Sequence, residues 1–248
     1  MATEYIEAAW KALRRNPIPV MLGELLVVFV VLLIMFLGIV PLIGVVATAD
    51  FTQGGQQAVT AILAHKGALA AAAVGLILSI LLGAALSGGL VGMFAQALKG
   101  RTRLGVILDV AKKHWLSFIG VQLLELLLVC LAFFILFLPL LLLGPVGVWV
   151  GISFGLIAML VMSVLLVYAP MAVAVSGLNA IDAVTRSINV GMANFWSTLA
   201  IFAIFVVLNM VLSFVPAIGG LVSIVVLAPL QLLTFTSLYL KRGQTRRK

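Results

Sequence analysis

Carboxylates are scarce in this chain. Its 248 residues hold 7 Asp and Glu against 15 Lys and Arg, and only 9% of the residues are charged. Soluble domains carry roughly 25% charged residues. A soluble fold could not hide the 65% hydrophobic residues of this one, so the surplus needs lipid as its solvent. Cysteine is nearly absent too. Cys130 stands alone in an apolar run, which excludes an intrachain disulfide. There is no Asn-x-Ser/Thr acceptor, H-E-x-x-H helix, G-x-S-x-G elbow or P-loop. His65 and His114 flank spans on opposite sides and cannot share a metal or haem. With no nucleophile–base pair and no metal set, the expectation is a non-enzyme without metal or cofactor, and nucleic acid is not an expected partner. Segment 4–15 holds two acids and no small-residue cleavage site follows, so the first span is expected to remain as a signal anchor.

What the chain has is long apolar runs. A spanning helix needs about 20 mostly apolar residues. Charge-free stretches predict six spans, at approximately 18–40, 68–97, 116–141, 147–170, 195–215 and 220–240. Tight turns are expected at Leu143-Gly144-Pro145 and at Pro216-Ala217-Ile218-Gly219-Gly220, because proline lacks the helical donor and glycine turns freely. The fold class is therefore an all-α, polytopic membrane protein of six transmembrane helices in a single domain, 1–248. Of the 15 basic residues, 14 fall on one side of these spans and only Lys66 on the other. The positive-inside rule makes the basic side cytoplasmic, with both termini there and the chain multi-pass in the plasma membrane.

The chain also repeats itself. An acid stands four residues before a base ahead of each odd span: Glu7/Lys11, Asp109/Lys113 and Asp182/Arg186. That order is the favourable one on a helix. A proline closes each odd span at a similar distance, at Pro41, Pro139 and Pro216. Ser87, Pro170 and Pro229 each stand 12 residues before Lys99, Asp182 and Lys241, and Gly88-Gly89, Pro170 and Pro229 are expected kinks. The unit reads as an interfacial helix followed by a helical hairpin. Three parallel copies, at approximately 4–100, 104–178 and 179–241, precede a basic tail at 241–248. Segments 4–15 and 104–115 are amphipathic; Tyr5, Ile6, Ala9, Trp10 and Leu13 gather toward one face and are expected in the headgroup layer. Trp10, Trp115 and Trp196 would anchor at that depth. The tail would attract anionic headgroups of the cytoplasmic leaflet.

Two carboxylates lie inside apolar runs. Glu24 follows Lys11 by 13 residues and Glu125 follows Lys113 by 12. A charge at mid-membrane costs roughly 2.5–3.5 kcal/mol on insertion scales. Either the pair lines a cytoplasm-facing cavity for a proton, cation or cationic headgroup, or each is structural, hydrogen-bonded to a neighbouring helix. Both alternatives place them toward the bundle interior. Gln122, Asn194, Asn209 and Gln231 read as interhelical hydrogen-bonding groups. Small-residue faces at Gly147, Gly151 and Gly155, and at Ala84, Gly88 and Gly92, mark close helix contacts within the bundle or between protomers. Two functions follow. One is binding or transport of a lipid or small solute through a cytoplasm-facing cavity. The other is a scaffold or assembly factor that binds another membrane protein, or a second copy, through the glycine faces.

The start "EAAWKALRRNP" and the stretch "AIDAVTRSINVGMANFW" ahead of the fifth span resemble a loose family of prokaryotic, often archaeal, six-span membrane proteins of unknown function. These are similar in layout to the membrane domain of glycerophosphoryl diester phosphodiesterases. The resemblance implies a membrane module, with no catalytic residue carried over.

Overall fold

Helix dominates because apolar runs in lipid must satisfy every backbone group within their own segment. The computed structural model describes residues 2–48, 65–215 and 218–243. The helices are α1 (Ala2–Arg15), α2 (Pro17–Thr48), α3 (Lys66–Lys99), α4 (Gly105–Leu140), α5 (Gly144–Leu166), α6 (Ala169–Ser176), α7 (Ala180–Ala193), α8 (Phe195–Ser213) and α9 (Ile218–Gly243). Among the described residues five stretches are long and apolar enough to cross a membrane, and one of them, Gly105–Ser176, runs for 72 residues. That one folds back on itself. A 3-10 turn at Leu141–Leu143 ends α4, and Gly144, at φ 70°, starts α5. Six long helices result among the described residues, paired as the hairpins α2–α3, α4–α5 and α8–α9.

Two expectations about breaks need correction. Pro41 does not close its span, since α2 continues to Thr48. One lost hydrogen bond is tolerated in a helix whose neighbours and local adjustment compensate. Gly88-Gly89 does not kink α3, which runs unbroken as a 34-residue helix. Pro139, by contrast, lies one residue before the end of α4. Pro170 sits in the first turn of α6, after a break that ends α5 at Leu166. Pro229 follows a π-helical segment, Ser223–Leu227, the widened turn by which α9 accommodates it. Pro216 and Ala217 of the expected turn, most of the 41–67 connection, and the tail bases Arg246, Arg247 and Lys248 lie outside the described residues.

Burial concentrates at the basic end of the bundle. There the core holds Leu90, Met93 and Phe94 of α3, Met171 of α6, and Leu233, Phe235 and Leu238 of α9. Toward the far end the hairpins present Phe29, Phe36, Trp149 and Phe214 outward. Lipid makes that exposure inexpensive, because hydrocarbon tails are as apolar as the side chains. Gly38 and Gly75 let the backbones of α2 and α3 touch: a Cβ on Gly38 would stand 2.6 Å from the Gly75 Cα.

The short basic-end segments tie the hairpins together. The first part of α4 crosses α3, where a Cβ on Gly89 would fall onto the Ile107 carbonyl oxygen. Helix α7 packs on α5 and α6, with a Cβ on Gly191 standing 2.8 Å from the Leu165 Cα. Helix α1 packs on α9. Tyr5, Ala9, Ala12 and Leu13, at i, i+4, i+7 and i+8, are all buried by this contact. That corrects the expectation of an α1 face immersed in headgroups. Its apolar stripe is covered by protein, while Trp10 points away with the Arg14 guanidinium 5.1 Å over its ring.

Candidate functional site: junctions and cavities at the basic end

Each odd span is separated from the helical segment before it by one backbone break. The breaks fall at Asn16, His114 and Asn194. His114 (φ −127°, ψ 19°) and Asn194 (φ −125°, ψ 21°) adopt nearly the same conformation. Asn16 is buried. Its Nδ2 donates to the carbonyls of Gly100 at 2.9 Å and Ala12 at 3.3 Å, and its Oδ1 accepts from the Thr102 N–H at 3.1 Å. Asn194 donates from Nδ2 to the Val190 carbonyl at 2.9 Å and accepts at Oδ1 from Arg242 Nη1 at 2.9 Å. His114 faces Gly177, whose Cβ position lies 3.6 Å from its ring. In all three cases the break residue meets the basic end of the next long hairpin arm: Gly100, Gly177 and Arg242.

An aromatic cluster stands behind these junctions. Tyr168 is fully buried, its hydroxyl 2.6 Å from Thr198 Oγ1 and its ring stacked on Tyr239 at 6.3 Å. The Tyr168 N–H donates to Ser187 Oγ at 3.0 Å, and Ser187 in turn donates to the Leu165 carbonyl at 2.7 Å. This satisfies backbone groups freed where α5 stops. Helices α1 and α9 meet here as well. Lys241 Nζ lies 2.6 Å from Glu4 Oε1, and Lys241 and Arg242 both stand over the Tyr5 ring, at 5.6 and 5.9 Å. The hydrogen bond from Lys241, and then its charge, hold the Glu4 carboxyl below its ordinary value. Lys11 acts on Glu7 in the same way. A lowered carboxylate pKa means the Glu4–Lys241 contact is fully present above the ordinary value and is lost as pH falls through the depressed one. Both side chains are solvent-exposed, so the contact locates α1 more than it stabilises the fold.

Two adjoining cavities open at this end. The larger, about 540 Å³, is lined by Ser176, Asp182, Thr185, Arg186, Asn189 and Gly243 among others. A smaller one of about 220 Å³ shares Arg186, Asn189 and Gly243 and adds Asn194 and Arg242. Asp182, Thr185, Arg186 and Asn189 follow helical spacing and form one polar face of α7, opposite the buried Ala183, Ser187 and Val190. Asn179 caps α7: its Oδ1 accepts from the Asp182 N–H at 2.9 Å, and its Nδ2 donates to Asp182 Oδ2 at 2.7 Å. Arg186 donates to the Gly243 carbonyl. The site thus combines two guanidinium groups, a carboxylate and neutral hydrogen-bonding groups. Among the described residues no cluster of three or more His, Cys, Asp or Glu could hold a metal ion.

Of the expected acid–base pairs, Glu7 and Lys11 meet at 2.8 Å. The other two do not pair. Asp109 lies 3.8 Å from Arg103, which stands just ahead of α4, and Asp182 is held by the Asn179 cap. Glu24 is buried with Val20 and Val27 on one stripe of α2, its Oε2 bonded to no described group. Glu125 is half-buried on the stripe of Phe118 and Val121. The structure does not bring the two together. Glu24 follows its break by 8 residues and Glu125 follows its own by 11. Gly23 stands at the level of Leu90 and Met93, and Phe118 at the level of Gly88. At 1.5 Å rise per residue, Glu125 lies on the order of 15 Å nearer the far end than Glu24. Neither lines the cavities above.

The glycine faces are used within the chain. Gly88 and Gly92 meet Phe118 and Val110 of α4, while Gly151 and Gly155 meet Phe137 and Phe133. Gly147 packs on Leu140 and Leu143. Asn209 bonds across to Ser223 of α9, as an interhelical group should, whereas Gln122 faces outward. Sequence reasoning missed Asn16, Tyr168, Thr198 and Ser187. A faint signal existed for one of them, the Asn16-Pro17 dipeptide, which marks a helix boundary.

No curated protein and no solved structure matches this chain. One family does match, over residues 2–242, and its description is a domain of unknown function, DUF7847. This all-α polytopic membrane protein belongs to the DUF7847 family.

Proposed function

We propose that this is a non-enzymatic plasma-membrane protein whose basic end faces the cytoplasm and binds a small anionic molecule or anionic headgroup in the cavity beside Arg186. Positive charge on cytoplasmic loops supports the orientation. The observation that carries the ligand class is the Arg186 guanidinium in the wall of a cavity of about 540 Å³, with Thr185 and Asn189 beside it and Arg242 in the adjoining pocket. Guanidinium groups match phosphate and carboxylate geometry. Asp182 on the same wall adds an acceptor for a hydroxyl or ammonium of the same ligand. Transport of that ligand would be a further step at the same site.

The proposal keeps the three-unit architecture. Three observations support it: the break residues at Asn16, His114 and Asn194, the partner each finds at Gly100, Gly177 and Arg242, and the docking of each short segment on the preceding arm. Helix α1 docks on α9, which closes the ring. At the level of layout the proposal also keeps the likeness to phosphodiesterase membrane domains. Scaffolding through the glycine faces loses its support, because the chain's own helices occupy them.

Thermal-shift titration of the purified protein tests the ligand. Glycerol 1-phosphate, a short-chain phosphatidylglycerol and neutral glycerol are compared. Saturation at about 100 times the dissociation constant should add about 2.7 kcal/mol, several degrees in melting temperature. Asn189→Leu, on the exposed cavity wall, should remove the shift without lowering the unliganded melting temperature. A shift with the phosphate ester identifies a solute; a shift with the lipid alone identifies a headgroup. No shift with either anion contradicts the proposal.

A further inference from the structure

A second concavity lies between α3 and α4 and shares no residue with the Arg186 cavity. It holds about 520 Å³ and is walled by Leu78, Leu82 and Ala85 of α3 and by Leu108, Lys112 and Trp115 of α4, among others. On each helix the lining residues recur at helical spacing, so the groove is built from two facing stripes. Its polarity is one-sided. The α3 wall is wholly aliphatic, and a charge enters only at Lys112, on the segment that crosses α3 near Gly89. Among the described residues no carboxylate reaches Lys112, since Asp109 lies against Arg103. Trp115, half exposed, stands one turn further along. From Leu86 to Leu78 the groove descends toward the far end by about 12 Å.

We infer that this groove is a lipid site, occupied by an acyl chain of an anionic phospholipid whose phosphate pairs with Lys112. The aliphatic walls match one hydrocarbon chain. The unpaired cation at the mouth gives the charge complementarity that selects an anionic headgroup over a zwitterionic one, and a tryptophan at that level is the side chain that headgroup depth favours.

The test uses quenching of Trp115 by brominated lipid, in the full chain with Trp10, Trp149 and Trp196 replaced by phenylalanine. Discs of phosphatidylcholine receive dibrominated phosphatidylglycerol or, in parallel, dibrominated phosphatidylcholine. One lysine near a membrane surface corresponds to about a fivefold preference for the anionic lipid. Lys112→Gln should abolish that preference, Lys113→Gln, one residue away and outside the groove, should keep it, and Ala85→Leu should reduce quenching by both lipids. Leu108→Phe fills the groove from the other wall and serves where Ala85→Leu fails to accumulate. Equal quenching by the two lipids in the parent protein overturns the inference. So does a preference lost equally in Lys112→Gln and Lys113→Gln, or quenching that survives the filled groove, since either describes a basic surface and not a site.

Discussion

Replacing Gly89 with valine lowers the melting temperature of the protein by several degrees. The position lies where α3 and the first part of α4 touch backbone to side. A Cβ there would land on the Ile107 carbonyl oxygen and 3.1 Å from the Ala111 Cβ. No rotamer change relieves a clash with a carbonyl, so α4 must move as a body. Gly88 and Gly92 hold the same helix through Phe118 and Val110, so the movement disturbs three contacts at once. Overfilling a well-packed contact costs about 1–3 kcal/mol. For a chain of this size that corresponds to roughly 2–12 °C. Gly83→Ala is the control, because its Cβ would meet only the Val31 side chain, at the ordinary distance of 3.4 Å. Thermal unfolding of the two variants, followed by size-exclusion recovery after heating, separates them. Equal recoveries would mean that α3 and α4 do not cross at Gly89.

Replacing Asn16 with leucine has a comparable cost by a different route. The asparagine side chain joins three pieces of chain: the end of α1, the end of α3 and the connection to α4. Leucine keeps the volume and removes every bond. The Gly100 carbonyl and the Thr102 N–H are then left to find other partners. Each unsatisfied buried group costs about 1–3 kcal/mol, so a loss of about 2–4 kcal/mol is expected. The connection should loosen first. It carries Arg101 and Arg103, and trypsin cleavage there should speed up well before the bundle unfolds. Asn194→Leu should leave cleavage at Arg101 and Arg103 unchanged, since its bonds tie α8 to Arg242 instead. Unchanged cleavage in Asn16→Leu would remove the junction from the account.

The spans were legible in the sequence because hydropathy measures the one property lipid selects for. Their partners were not. An amphipathic stripe such as Tyr5, Ala9 and Leu13 states that something apolar covers it; only the tertiary contact with α9 tells protein from headgroup. Acid–base spacing of four places two side chains within reach, yet a closer competitor decides the outcome. Asp182 has the Asn179 cap, and Asp109 has Arg103 beyond the helix start. Aligning the units on those pairs puts Glu24 and Glu125 in one register, whereas the packing of each span against α3 puts them on the order of 15 Å apart in level. The Arg186 cavity is not legible in the sequence for a similar reason. Its residues are ordinary polar side chains of a helix face, and the ends of α6 at Ser176 and of α9 at Gly243 make the enclosure. The glycine spacing does not say which helix lies against it, and here the neighbours are helices of the same chain.

The ring closed by α1 on α9, at the cytoplasmic face, is the claim on which the rest depends. Cross-linking tests it most directly. Cys130 is the sole cysteine, so a Cys130→Ser background accepts one engineered pair, Glu4→Cys with Lys241→Cys, at the 2.6 Å contact between α1 and α9. A short, membrane-impermeant bis-maleimide is added to sealed inverted vesicles and, separately, to intact cells. The account predicts a faster-migrating monomer, linked within one chain, in the inverted vesicles and no reaction in cells. Linkage between chains alone, or reaction from outside only, would contradict it.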